Sequence, residues 1–169
     1  RYPKDEVPEC FAPPAPIALG KAEVIRAGDP SQAGERPLMI WAYGAPVRTA
    51  WLALQGLGAE AAGVTLVNAR FAKPFDAALL AKLAATHRQV LTLEDHALQA
   101  GFGAVVAEAI TDADLDLRLT RVGVRDELVA HASRDQQLAA QGLDVAGVTA
   151  SIRRLLQGPA KAIPFTRSA

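Results

Sequence analysis

The sequence predicts a three-layer α/β domain: a mostly parallel sheet of about five strands, one of them an antiparallel edge strand, with helices on both faces. Three observations carry this expectation. Apolar, strand-like runs alternate with segments of helical period, as they must where parallel neighbours need crossovers. The run "LMIWAYG" is almost wholly apolar, the mark of a strand covered on both faces. Finally, the leading strand-like piece "KAEVIRAG" reaches that run through a turn-rich insert with no helix, which suits an antiparallel edge.

Taken in order, residues 1–16 carry prolines at positions 3, 8, 13, 14 and 16. Proline removes backbone donors and biases its neighbours toward extended conformations, so this stretch reads as a linker. "KAEVIRAG" follows, then the insert "GDPSQAGERP" and the buried strand "LMIWAYG". Val47, Trp51, Leu54 and Leu57 then recur at helical spacing, with Pro46 at a first-turn position and Gly56 and Gly58 near the end. "GVTLVNAR" is a strand and "AKPFDAALLAKLAATH" a helix. Asp76 is that helix's expected N-cap, and Leu79, Leu80 and Leu83 its buried stripe. "QVLTLED" is an apolar strand, followed by a glycine-bearing turn and the helix "GAVVAEAIT". The strand "LRLTRVGV", a short helix around "RDQQLAAQGL" and a last helix "DVAGVTASIRRLLQ" complete a domain over 17–157, with a tail at 158–169.

Lys plus Arg and Asp plus Glu number 18 each, a formal net charge of zero. Nothing in that balance favours a nucleic acid or an anionic membrane as partner. The basic pair Arg153-Arg154 reads as a solvated helix face. A single cysteine, Cys10, excludes an internal disulfide and a thiolate zinc cluster. No apolar run approaches the roughly 20 residues that cross a bilayer, and no secretory pattern opens the chain. The expected compartment is the cytoplasm.

The most inviting chemistry lies in "EDHALQAGFGAVV", where a strand ends and a helix begins, the usual ligand position in open α/β sheets. Gly101 and Gly103 would let a backbone approach a phosphate. The dinucleotide fingerprint fails, however, because Val106 stands where a third small residue is needed. The alternative is that the glycines permit a tight turn and close packing. Glu94, Asp95 and His96 suggest an acid–base or metal cluster, yet adjacent turn residues point in different directions, and His131 is the sole distant partner. His87 closes a helix, where a partly positive imidazole suits the dipole. Trp41 and Trp51 have apolar neighbours and read as core. Nucleophile-elbow and phosphate-loop motifs are absent from the sequence. No residue is assigned as catalytic, cofactor-binding or metal-ligating.

Several segments together carry a resemblance. They are "RYP", "LGKAEVIRAG", "YGA", "VNARFAKPFDAALL", "LTLEDHALQAGFGAVVAEA", "VGVRDELVAHAS" and "QGLDVAGV". In order and spacing they resemble the carboxy-terminal part of the 1-deoxy-D-xylulose-5-phosphate synthases, thiamine diphosphate enzymes of the transketolase superfamily. The chain departs from the family pattern at Ala100, where a glycine is usual, at Arg125, where a proline is, and at Ala132, again a glycine position.

The resemblance implies the third domain of an enzyme that joins pyruvate to D-glyceraldehyde 3-phosphate, releasing carbon dioxide. The product feeds isoprenoid, thiamine and pyridoxal synthesis. Thiamine diphosphate and Mg2+ are then expected in upstream domains, and the first residues of this chain close the preceding one. Arg1 is expected to hold the aldehyde's phosphate, a task suited to a planar guanidinium fork. Tyr2 is a minor contact at most. The α/β body is expected to support a homodimer and the other domains, with His96, Gly101 and Gly103 at the contact turn. Alone, the segment is expected to be inactive. The rival readings are the equivalent domain of a transketolase or of a 2-oxoacid dehydrogenase beta component, and a stand-alone α/β module binding a small ligand.

Overall fold

The computed structural model describes residues 16–157. Five strands form one sheet: β1 (Glu23–Arg26), β2 (Leu38–Tyr43), β3 (Thr65–Asn68), β4 (Gln89–Ala97) and β5 (Arg118–Val124). Their spatial order is β1-β3-β2-β4-β5. β1 pairs antiparallel with β3, and the other neighbours are parallel. The mixed sheet with an antiparallel edge strand is therefore the observed architecture.

The described residues form five α-helices: α1 (Pro46–Leu57), α2 (Ala77–Ala84), α3 (Phe102–Asp112), α4 (Arg134–Ala140) and α5 (Val145–Leu156). Side chains alternate across a strand, and β2 shows why both faces need cover. Leu38, Ile40 and Ala42 pack with α1 and α5, through residues such as Leu54 and Ile152. Met39 and Trp41 pack on the opposite side with Leu80 of α2 and Val106 of α3. All five of these β2 residues are buried. A strand flanked by two apolar layers cannot alternate with polar residues, which explains the unbroken run.

Helix ends follow local chemistry. Pro46 opens α1 within its first turn, and Gly58 ends it with φ at +54°. Asp76 caps α2, accepting from the Leu79 amide at 3.1 Å. Of the expected stripe on α2, Leu80 is fully buried, whereas Leu79 and Leu83 are half-buried against the same core. Arg153 and Arg154 are exposed on α5, as a solvated face requires, and Arg153 also pairs there with Glu60, its Nε 3.1 and 3.2 Å from the two carboxylate oxygens.

One correction concerns His87. It is buried, and burial pushes its pKa down, with the Leu83 carbonyl partly opposing this. Burial therefore favours the neutral ring over the partly positive one that its place at the helix end suggested. Nδ1 lies 2.9 Å from the Leu83 carbonyl, which can only accept, so Nδ1 carries the proton. Nε2 then accepts from the Thr65 hydroxyl at 2.9 Å, while that oxygen accepts from the Gly28 amide at 3.1 Å. A short polar chain thus ties the end of α2 to the start of β3 and the exit from β1.

The antiparallel strand has a positional consequence. Glu23, the first residue of β1, sits opposite Asn68, the last of β3. The chain therefore enters the sheet at the edge where β2, β3, β4 and β5 end. This carboxyl edge also carries the turns leading to α1, α2 and α3.

Candidate functional site

β4 and β5 lose register at the carboxyl edge. Leu93 pairs with Val122, and the next pair is Ala97 with Val124. Glu94, Asp95 and His96 consequently lie opposite Gly123 alone, a bulge that re-aims three side chains. A Cβ at position 123 would come within 2.9 Å of Glu94 Cγ and of the His96 carbonyl. Only a residue without a side chain fits there.

Glu94 turns inward and is fully buried. Its carboxylate accepts from the Phe102 amide at 2.5 Å and the Gly103 amide at 2.8 Å. These are unpaired donors of the first turn of α3, whose N-cap, Gly101, has no side chain to offer. A carboxylate at a helix N-terminus also meets the favourable end of the dipole. Burial raises the Glu94 pKa, against the pull of the two amides and of nearby His96 and Arg121. A Cβ at Gly101 would collide with this carboxylate and with the Ala97 carbonyl. At Gly103 it would lie 2.8 Å from Thr92 Oγ1 and from the Arg121 side chain. Both glycines are buried. They are there for close packing, and the anion position they frame is filled by the chain's own Glu94.

Phe102 completes the anchoring of the turn. Its ring stacks on Tyr43 at 5.2 Å and meets Phe75 edge-on at 6.1 Å. Phe75 in turn lies 5.1 Å from Trp41. The aromatic row joins the end of β2, the approach to α2 and the start of α3.

The other members of the acidic cluster diverge, as adjacent turn residues do. Asp95 faces Arg134 at 3.2 Å, while His96 is exposed, with Nδ1 3.2 Å from the Ala97 carbonyl. His131 is exposed on the loop after β5. Among the described residues no three His, Cys, Asp or Glu side chains converge as a metal site would require. A diphosphate does not fit the α3 N-terminus either, because a buried carboxylate already takes the amides and would repel it. Arg1 and Tyr2 lie outside the described residues, as does Cys10.

Two of the departures from the family pattern, Ala100 and Arg125, have local consequences. Ala100 adopts φ of +55°, a conformation that favours glycine. Arg125 uses the N–H that a proline would lack, donating to Gln141 Oε1 at 3.1 Å. Its guanidinium holds Glu127 at 2.8 Å and the Ala140 carbonyl at 3.1 Å, and Gln141 reaches Glu127 at 3.0 Å. Those bonds hold the Glu127 carboxyl below its ordinary pKa. They brace the loop after β5 against α4, beside a cavity of about 210 Å³ bounded by Asp95, Val124, Val129, Arg134, Leu138 and Gln141, among others.

Residues 20–148 match the family model described as transketolase, C-terminal domain. The chain belongs to the transketolase C-terminal domain family. Within it, the chain is 41% identical over 99% of its length to a 1-deoxy-D-xylulose-5-phosphate synthase from Synechococcus sp. (strain JA-2-3B'a(2-13)). It is 40% identical over 81% of its length to the synthase from Polaromonas sp. (strain JS666 / ATCC BAA-500). It spans 26% and 20% of those two proteins respectively. Among solved structures it is similar to a split-gene transketolase described as an inactive beta4 tetramer. The TM-score is 0.76 at 27% identity, covering 89% of this chain and 47% of that one. The relatives are transketolase-type transferases, and the transketolase C-terminal domain is one part of a longer protein in each of the synthases.

Proposed function

We propose that this chain is the carboxy-terminal portion of a 1-deoxy-D-xylulose-5-phosphate synthase, acting as scaffold beside an active site formed upstream. The supporting observation is 41% identity over nearly the whole chain to a synthase of which the chain spans 26%. In this reading the intact enzyme condenses pyruvate with D-glyceraldehyde 3-phosphate and releases carbon dioxide. Thiamine diphosphate supplies the carbanion chemistry when bound, and it and Mg2+ are held by the amino-terminal portion. No described residue is assigned to either. The enzyme is a cytoplasmic homodimer. Residues 1–16 are its interdomain linker, 17–157 the domain and 158–169 a tail. At the contact turn His96 is the exposed member, while Gly101 and Gly103 shape the turn from within. By itself the segment is inactive, a reading supported by the inactive assembly of the split-gene transketolase.

Arg1 contacts the phosphate of glyceraldehyde 3-phosphate, and Tyr2 guides the chain past the site. Arg1→Ala in the longer polypeptide is expected to raise KM for glyceraldehyde 3-phosphate far more than KM for pyruvate. Loss of a charge-assisted contact of about 1.5–3 kcal/mol corresponds to roughly 10- to 150-fold. An unchanged aldehyde KM removes this assignment. The reaction itself is tested by incubating the longer polypeptide with pyruvate and glyceraldehyde 3-phosphate. Release of carbon dioxide with formation of the five-carbon product is expected. Two-carbon transfer from a ketose phosphate without pyruvate would instead indicate a transketolase.

A further inference from the structure

Large apolar side chains left in solvent are informative when they share one side of a fold. The exposed ones among the described residues are Ile17, Leu19, Val24, Leu52, Leu128, Val129 and Val145. Ile17 and Leu19, at 69% and 75% exposure, lie on the stretch that leads into β1 at the carboxyl edge of the sheet. Leu128, at 102%, and Val129 lie on the loop that leaves β5 at the same edge. Val145 opens α5, four residues after the Gln141 that holds the Arg125 amide just beyond β5. Leu155, near the far end of α5, meets Gln89 at the start of β4, so the helix runs away from that edge. Five of the seven thus belong to the carboxyl edge, in two groups at its opposite ends, since β1 and β5 are the outer strands of the sheet.

Leu128 is not the tip of a loose loop. The Arg125–Glu127–Gln141 bonds brace the residues just before it. The Gln137 side chain also donates to the Ala130 carbonyl at 3.1 Å just after it. Val129 contributes to the wall of the 210 Å³ cavity, beside the Asp95–Arg134 ion pair. A braced knob beside a hollow at one end of the edge, with the chain's entry at the other end, frames a docking surface along it. Ordering costs have already been met within the domain, which is what preorganisation supplies to an interface.

We infer that the carboxyl edge of the sheet, with Leu128, Ile17 and Leu19 as its apolar anchors, is the docking surface for the preceding part of the same polypeptide. This rests on the reading that the chain is one portion of a longer synthase. Two observations select that occupant. About three quarters of the length of the Synechococcus relative lies outside the segment that this chain spans. The chain also enters the sheet at this edge, so a domain joined there is held at high effective concentration over it. Leu52 on α1 lies away from the edge elements and serves as a comparison, since it too is exposed.

Hydrogen–deuterium exchange, read by mass spectrometry, tests the inference on the longer polypeptide and on this chain alone. Amides of residues 17–22 and 126–132 are expected to exchange at least tenfold more slowly in the longer polypeptide. Leu128→Asp is expected to remove most of that protection at 126–132, and Leu52→Asp to leave it intact. Both substituted side chains are exposed, and the thermal transition of the chain alone checks that each variant still folds. Equal exchange in the two proteins overturns the docking surface, as does protection that Leu128→Asp leaves untouched. Protection that appears in this chain alone as its concentration rises would identify a second copy as occupant, and overturns it also. Synthase activity is assayed on the same preparation. Protection without activity leaves the docking surface standing and removes the proposed reaction, whereas activity without protection does the reverse.

Discussion

Ala100 holds φ at +55° in the turn before α3, where an L side chain crowds its own backbone. Relief of about 1–2 kcal/mol on substitution by glycine is offset by about 0.5–1 kcal/mol of extra freedom in the unfolded chain. Ala100→Gly is therefore expected to stabilise the fold by about 0.5–1 kcal/mol, read from urea unfolding. A second prediction concerns His87, whose pKa burial holds below 6.5. The unfolded chain then binds a proton more readily than the folded one. Stability is complete above the unfolded value and declines as pH falls through it toward the folded pKa. Urea midpoints should fall as pH is lowered below about 6.5, and His87→Gln should flatten that slope.

At the scale of elements, the cap of α2 was legible in the sequence because it is local. Asp76 stands directly before Ala77 and bonds the amide three residues on. The structure adds that the same carboxylate accepts from the Ala22 amide at 3.1 Å, tying the entry of β1 to α2. Asp76→Ala is expected to cost about 1–2 kcal/mol in chemical denaturation, near the upper end for a cap because a second donor is orphaned. Asp76→Asn should recover part of that loss. The cap of α3 was not legible, because it comes from Glu94, eight residues upstream in a strand run that pattern reading assigns to the sheet. Its signal was present only in combination: an acidic residue closing an apolar strand, followed by glycines at both ends of the aromatic Phe102.

For the whole molecule, the internal carboxylate decides what the carboxyl edge can accept. The amides that elsewhere receive phosphate are spent on Glu94, so this domain by itself offers no diphosphate cradle there. Calorimetric titration of the isolated chain with thiamine diphosphate and Mg2+ is expected to give no saturable heat, whereas the longer polypeptide should bind. Saturable binding to the chain alone would overturn the division of labour between the portions. The edge is instead a surface of apolar anchors and braced turns, which suits contact with protein.

The sequence by itself determined the layer architecture, the strand and helix order and the family. Each depends on periodicity, on turn residues or on motif order, all of which are written locally along the chain. It also showed that the "AGFG" turn fails as a dinucleotide fingerprint. Only the tertiary structure decided why that turn is closed. The bulge between β4 and β5, the inward carboxylate of Glu94 and the crowding at Gly101 and Gly123 join residues from separate elements. Likewise, the partner of His87 Nε2 is Thr65 of β3, beyond the reach of its own helix. Long-range packing sets dielectric and space, and these, more than local pattern, fix what a polar group in this domain can do.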